Sequence, residues 1–270
     1  MTILVTGATG TIGRRVVQLL AGLGEPVRAI TRRPETAGLP DGVDVRRGDL
    51  AEAAGLAEAF AGVDRLYLYP DGDTAGLLDL AERAGVRKVV TLSSFAAGQP
   101  LNTAGRLHRR TEEAVEAAGL PWTHLRPGKF AGNLLDWAAD IRADGVAREP
   151  YPGVRREPVH PMDIADLAVA ALTEDGHEGK ALPLTGPQSF SKPEMAAVIG
   201  QVIGRDVRFE EISEQEFRDR RPGRYFDAQM TAILRMWLEG AADPTAFVYD
   251  APRGTRTLAQ WVTENAEAFR

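Results

Sequence analysis

The residues best suited to chemistry are three glycines, Gly7, Gly10 and Gly13, spaced G-x-x-G-x-x-G behind the apolar run Thr2-Ile3-Leu4-Val5-Thr6. A helical pattern follows at once, with Ile12, Val16, Leu19, Leu20 and Leu23 recurring at the spacing of one helix face. Strand, glycine turn and helix N-terminus together form a pyrophosphate cradle, because free N–H groups and the positive end of the helix dipole face the anion. Gly7 permits the tight turn, Gly10 lets backbone approach the phosphates, and Gly13 lets helix pack closely on strand. Thr9, Thr11 and Ile12 belong to the same turn and are expected to touch the ligand with it. Further on, a strand-like run from Pro26 ends in Thr31-Arg32-Arg33, with no acid before Glu35. An acid at such a place accepts from a ribose 2′-hydroxyl, whereas an arginine accommodates a 2′-phosphate through a bidentate, charge-assisted pair. NADP(H) is therefore expected in preference to NAD(H). The competing reading is a pair of solvated arginines on a surface turn.

Positioning these residues requires repeated βα units. Strands are expected at 26–31, 43–46, 65–69, 88–92 and 122–125, separated by helical patterns carrying Leu56 and Phe60, then Leu77, Leu80 and Ala81, then Leu107, Ala114, Val115 and Ala118. That alternation places the chain in the α/β class, with a doubly wound parallel sheet of Rossmann type. Ligands of such sheets bind beyond the carboxyl ends of the strands, so the residues just after each strand matter most. Beyond Arg126 the pattern loosens, and glycine, proline and charge fill 142–161. Asp163 is expected to cap a helix over 164–172, Lys180–Thr185 to form a strand, and Ser191 to cap a helix with Glu194 three residues on. The stretch 207–212 reads as a further strand. Met230, Ile233, Leu234 and Trp237, then Trp261 and Phe269, make an apolar helical segment able to cover a pocket. The expected division is a dinucleotide-binding domain over 1–150, with returning segments near 155–185, and a small C-terminal α+β substrate-binding annex, mainly helical, over 186–270.

The bulk composition narrows the classes. The 270 residues carry a net charge of −6, which argues against nucleic acid or acidic membranes as partners. Cysteine is absent, which removes disulfides and thiolate–metal sites, and four histidines without metal-ligand spacing give no metal site. No apolar run of about 18 residues is present, and the N-terminal strand lacks a signal peptide's basic start, so a cytoplasmic location is expected.

The segments Val5–Gly13, Val27–Arg32, Gly48-Asp49-Leu50, Leu92-Ser93-Ser94, Leu125–Phe130, Asp163-Ile164-Ala165 and Leu184–Pro187 occur in an order that resembles the atypical short-chain dehydrogenase/reductases. The resemblance is to their NmrA-like branch, which includes triphenylmethane-reductase-like and quinone-reductase-like proteins. It implies that Arg32 is the 2′-phosphate contact, with Arg33 or Thr31 assisting. It implies that Asp49, with Leu50, lies on the adenine side and that Pro127 and Phe130, beside Lys129, lie against the nicotinamide. Tyr69 either lines the adenosine side or is a core-edge aromatic. Ser93 and Ser94 either touch the nicotinamide side or cap their strand.

The catalytic position departs from the better-known pattern. Short-chain dehydrogenases carry Tyr-x-x-x-Lys on the helix after the fifth strand; aligning on Glu116–Thr123 places Ala104 in the tyrosine slot and His108 in the lysine slot. No tyrosine occurs between Tyr69 and Tyr151, so no local shift restores the pair. His108 is the remaining candidate for catalysis, as a hydrogen-bond donor or an acid; otherwise it is a helix-surface partner of Glu112. Phe95, Asn133, Trp137 and His160 are candidates for an apolar, partly aromatic substrate wall suited to a flat organic molecule. Three readings follow from the resemblance. One is a reductase moving hydride to a quinone, enone, imine or dye-like acceptor. The others are a non-catalytic NADP sensor and an isomerase or cyclase that retains the nucleotide. The partner expected is a small-molecule substrate, and a homodimer is compatible with the family.

Overall fold

A computed structural model describes residues 1–98, 103–220 and 252–270. The chain forms two compact units, one of Met1–Pro100, Gly105–Pro127 and Pro161–Leu182, the other of Leu101–Ala104, Gly128–His160 and Pro183–Arg270. The second unit thus takes in Gly128–His160, which lies before the 186–270 annex expected from sequence.

The first unit is built on β1 (Ile3–Val5), β2 (Val27–Thr31), β3 (Asp44–Arg47), β4 (Arg65–Leu68), β5 (Lys88–Leu92), β6 (Trp122–Pro127) and the edge strand β8 (Lys180–Leu184), in the order β3-β2-β1-β4-β5-β6-β8. The registered pairs from β3 through β6 are parallel, and helices α1 (Gly13–Gly22), α2 (Ala57–Phe60), α3 (Thr74–Ala84), α4 (Thr103–Ala117) and α6 (Pro161–Thr173) flank the sheet. Leu4, Leu66, Leu68 and Val89 pack with Phe60, Leu77 and Val115 on one face. Alternation along β1 sends Ile3 and Val5, both fully buried, to the other face, where α1 and α6 meet. Strands buried on both sides read as continuous apolar runs, which is why the βα repeat was legible.

The second unit pairs β7 (Val146–Glu149) with β9 (Arg208–Glu211) in parallel. Around them stand α5 (Ala138–Asp144), α7 (Lys192–Ile203), α8 (Glu214–Arg220) and α9 (Leu258–Glu264). Trp137, Ile141, Met195, Ile199, Trp261, Val262 and Phe269 form its core.

Local chemistry explains the elements. Ser191 and Glu194 close a reciprocal capping box at α7, as their spacing indicates. Asp163, expected as a cap, instead lies inside α6, which begins at Pro161; a proline is tolerated in the first turn because its missing N–H has no partner there. Leu23, expected on the buried face of α1, follows the helix end and is 66% exposed, while Val17, outside the expected set, is buried. The stretch 142–161, where the sequence pattern loosens, holds the end of α5 and all of β7. Met230, Ile233, Leu234 and Trp237 lie outside the described residues.

Candidate functional site

The glycine turn sits where the sheet order reverses, between β1 and β4. The Thr6 hydroxyl staples the two strands: it donates to the Tyr67 carbonyl at 3.0 Å and accepts from the Tyr69 N–H at 2.7 Å. Each glycine has its own reason. Gly7 holds φ +60°, and a Cβ there would stand 2.8 Å from the Tyr69 Cβ. A Cβ on Gly13 would strike the Gly7 carbonyl oxygen at 2.2 Å, so helix and turn touch through the missing side chain. A Cβ on Gly10 would meet only that same oxygen, at 3.2 Å, and otherwise open space; Thr9, Gly10 and Thr11 are all exposed. Ile12, buried, precedes α1, whose first turn has neither a side-chain cap nor an acid. No side chain or acid therefore competes with an anion at this helix start, although the Arg14 N–H already donates to the Gly10 carbonyl at 3.1 Å.

The neighbouring strand ends supply the rim. Along β2 and β3, Arg28 and Arg46 pair with Asp44, and Arg47 pairs with Glu35. The guanidinium groups of Arg32 and Arg33, both exposed, make no ion pair or hydrogen bond among the described residues; the two residues are tied down by backbone, the Arg32 carbonyl accepting from Arg47 and the Arg33 N–H donating to Thr31 Oγ1. The Asp49 carboxylate accepts from the Ala51 N–H, and the Leu50 carbonyl accepts from the Asp73 N–H at 2.8 Å. Gly72 passes so close to Leu50 that a Cβ would lie 2.4 Å from its carbonyl. Tyr69 presents a 40% exposed side chain next to Gly7. The structure therefore brings Gly7, Gly10, Gly13 and Tyr69 together, with Arg32, Arg33, Asp49 and Leu50 at adjacent strand ends.

Behind the end of β5 lies a buried ionic network that the sequence reading missed. The Glu112 carboxylate is fully buried and accepts from Ser93 Oγ at 2.6 Å, from Arg126 Nε and Nη2 at 2.9 and 2.7 Å, and from Arg109 at 3.1 Å. Burial pushes its pKa up, but the hydrogen bonds from Arg126 and Ser93 prevail and hold it below the usual carboxylate value. Arg109 also binds Glu116, whose carboxylate stands 3.4 Å from His124 Nε2; His124 stacks on Trp122 at 4.3 Å. Glu112, Glu116 and His124 converge closely, but the two arginines already fill the carboxylates, so this is an ion-pair network. The spacing of Arg109, Glu112 and Glu116 on one helix face was the available signal.

His108, one turn before Glu112, keeps a buried Nδ1 with no hydrogen-bond partner among the described residues. Burial lowers its pKa from the ordinary imidazole value, against the opposing charge of Glu112, and so favours the neutral ring. Phe95 is half-buried in a short turn after β5.

Removing one partner of a buried charge cluster leaves the others uncompensated, so Glu112→Ala is expected to lower stability by about 3–5 kcal/mol in a chemical denaturation series. Because the folded-state pKa is depressed, this contribution is complete above the unfolded carboxyl value and is lost as pH falls through the lowered one. A loss below about 1 kcal/mol at pH 7 would show that the network contributes little net stability.

In the second unit, the segment after β6 is clamped by backbone. The Val159 N–H donates to the Lys129 carbonyl at 2.8 Å, and the Ala131 N–H donates to Val159 at 2.9 Å. Gly186 packs on Pro158 so tightly that a Cβ would lie 2.1 Å from its carbonyl oxygen. Pro127, at the end of β6, is buried, Phe130 is half-buried and Asn133 is exposed. Trp137 and His160, expected on a substrate wall, are instead enclosed. Trp137 is 1% exposed, donates to Glu149 at 3.0 Å and meets Phe209 edge-on; His160 lies 3.3 Å from Glu264. The Trp137 ring is used in packing the unit's core.

Residues 7–175 match the family described as NAD(P)H-binding. The chain is 38% identical to the (4-alkanoyl-5-oxo-2,5-dihydrofuran-3-yl)methyl phosphate reductase of Streptomyces griseus and 34% identical to the NAD(P)H azoreductase of Xenophilus azovorans, covering 99% of both chains in each case. The crystal structure of the NADPH-dependent quinone oxidoreductase of Escherichia coli complexed with NADPH is similar with a TM-score of 0.77 at 25% identity, over 98% of this chain and 99% of that one. Citrobacter sp. triphenylmethane reductase complexed with NADP(H) gives 0.72 at 25% identity, over 100% and 90%. The glycine turn at the sheet's switch point and these relatives agree: the chain belongs to the NAD(P)H-binding family and is an NAD(P)H-dependent oxidoreductase of the NmrA-like branch of short-chain dehydrogenase/reductases.

Proposed function

We propose that this oxidoreductase prefers NADPH and reduces flat, electron-poor acceptors, such as a quinone, an enone, an imine or a dye, without an acid residue at the reacting centre. The observation that carries this reading is the state of the polar groups around the β5 end and α4. Ser93 commits its proton to Glu112, burial favours the neutral form of His108, and Ala104 stands in the tyrosine slot. None is poised to protonate an alkoxide. A simple ketone needs such a proton as hydride arrives; a conjugated or cationic acceptor spreads the charge and takes its proton from water afterwards. The relatives named for an enone-type phosphate and for azo compounds fit this class.

In this account Gly10 admits the pyrophosphate, the first turn of α1 donates to it, and Arg32 with Arg33 binds the 2′-phosphate. Asp49, Leu50 and Tyr69 border the adenosine side, and Ser93, Pro127 and Phe130 border the nicotinamide. The bound nicotinamide supplies the hydride. The chain's contribution is to hold that ring and the acceptor in contact, which alone lowers the barrier substantially. His108 acts as a neutral donor, with Phe95 and Asn133 left as the accessible candidates for the substrate wall.

Loss of an assisting acid typically lowers rates by about 10²–10⁴-fold. His108→Ala is expected to lower kcat by only about 10-fold to 100-fold on a quinone, the low end of that range, with Tyr69→Phe and Tyr151→Phe retaining most activity. Steady-state NADPH oxidation by the three variants side by side tests it. Near-complete loss in either tyrosine variant would show that a distant tyrosine supplies the proton.

A further inference from the structure

The bidentate grip of Arg126 on Glu112 uses only part of its guanidinium group. Nε and Nη2 donate to the two Glu112 oxygens at 2.9 and 2.7 Å, whereas Nη1 makes no hydrogen bond or ion pair among the described residues. Glu112 is fully buried, but the Arg126 side chain stays 21% exposed. Arg126 is the penultimate residue of β6, and its Nε shares Glu112 Oε1 with Ser93 Oγ, just beyond the end of the adjacent strand β5. The guanidinium group thus belongs to the carboxyl end of the sheet, the side on which ligands of such sheets bind.

A glycine leaves the unused nitrogen open. Gly98 closes the short turn Phe95–Gly98 and is exposed. Its φ lies outside the left-handed region, so its backbone does not itself require glycine. Among the described residues, a Cβ there would meet only the guanidinium, at 3.2 Å from Nη1 and 3.9 Å from Cζ. Phe95, an accessible candidate for the substrate wall, opens the same turn. Ser93, Phe95, Gly98, Glu112 and Arg126 all belong to the first unit.

A guanidinium group donates hydrogen bonds but does not give up a proton near neutral pH. It stabilises negative charge on oxygen without acting as an acid. A quinone that takes up hydride gains two electrons and one hydrogen and becomes the hydroquinone monoanion, with its charge on oxygen. The nicotinamide is oxidised in the same step, and water supplies the second proton afterwards. A fixed donor at that oxygen lowers the barrier. The alkoxide from a simple ketone is far more basic and still lacks its proton, so such a donor does not replace the missing tyrosine.

We propose that Arg126 is a catalytic residue that donates from Nη1 to the acceptor's carbonyl oxygen, and that Gly98 keeps this nitrogen accessible. This rests on the reductase reading and narrows its substrate class to acceptors that gather charge on oxygen, quinones and enones ahead of imines and cationic dyes. Glu112 is the positioning residue, because its grip on two nitrogens fixes the orientation of the third.

The test compares menadione, which gathers charge on oxygen, with malachite green, an oxygen-free cationic dye that takes hydride on carbon and becomes neutral. The readout is the ratio of kcat/KM for quinone over dye, since placement of the cofactor is common to both. Arg126→Lys keeps a positive charge beside Glu112 but has no second nitrogen to offer. Gly98→Leu covers Nη1 and leaves the pair with Glu112 in place, so it carries the test alone if Arg126→Lys does not fold. Loss of one such donor typically costs about 10²–10³-fold, and exposure to water draws the expected fall in the ratio toward about 10-fold in each variant. An unchanged ratio in folded Gly98→Leu overturns the proposal. Titration of para-nitrophenol with the NADP-loaded protein, at a pH that half-ionises the free probe, makes the comparison without turnover. The wild type is expected to raise the yellow phenolate band, and Gly98→Leu to leave it near the free-probe level. No rise with the wild type, or an equal rise with the variant, overturns Arg126 as the donor. Absence of NADPH oxidation with both acceptors would count against the reductase reading alone, and the phenolate band then decides the role of Arg126.

Discussion

Gly10→Val is expected to give a folded protein that no longer binds NADPH. A Cβ at this position meets only the Gly7 carbonyl oxygen, at 3.2 Å, so the native turn accommodates it with a shift of a few tenths of an ångström. The valine methyls then occupy the open side of the turn, where a pyrophosphate must approach to reach the first N–H groups of α1. Each hydrogen bond to a charged group contributes roughly 1.5–3 kcal/mol, and losing two or more carries binding out of measurable range. Gly13→Ala is the instructive contrast. Its Cβ would stand 2.2 Å from backbone, so overpacking of about 1–3 kcal/mol falls on the fold itself. Circular dichroism and calorimetric titration separate the two: normal NADPH affinity in folded Gly10→Val would remove the turn from the phosphate site.

Arg32→Asp is expected to narrow or reverse the preference for NADPH over NADH. The neighbouring Arg28 and Arg46 share Asp44 and Arg47 pairs with Glu35, whereas the guanidinium groups of Arg32 and Arg33 have no partner among the described residues. A charge-assisted pair contributes roughly 1.5–3 kcal/mol, and solvent at this exposed turn draws the figure toward the lower end, about a 10-fold preference. The new carboxylate would also accept from a ribose 2′-hydroxyl, the arrangement that favours NAD. Equal affinity of the unmodified protein for both nucleotides would end the claim.

The parts of the molecule legible in the sequence are those set by short-range rules. Strands β1, β2, β4 and β5 are largely buried and read as mainly apolar runs, and the glycine spacing fixes the turn between β1 and α1. Ser191 and Glu194 announce the start of α7 through a contact three residues long. Parts set by distant partners were hidden. Strand β7 is short and half charged, and it becomes a strand only because β9, some 60 residues on, pairs with it. Trp137 resembles a pocket aromatic until Glu149 and Phe209 are seen around it. Glu112 reads as a helix-surface charge because nothing local reveals that Arg126, on β6, will lie against it. The same holds for Lys192, whose buried ammonium meets Glu149 at 2.9 Å from 43 positions away.

The most direct measurement of the account is NADPH oxidation, followed at 340 nm, across a panel of quinones, enones, azo compounds and cationic dyes. A simple ketone serves as the contrast, and NADH is run in parallel. The expected result is consumption of one NADPH per two-electron reduction of at least one conjugated or cationic acceptor, slower turnover with NADH, and none with the ketone. Tight NADPH binding with no oxidation by any acceptor would contradict it and would favour a nucleotide sensor, while efficient reduction of the ketone would show that an acid residue acts at the site after all.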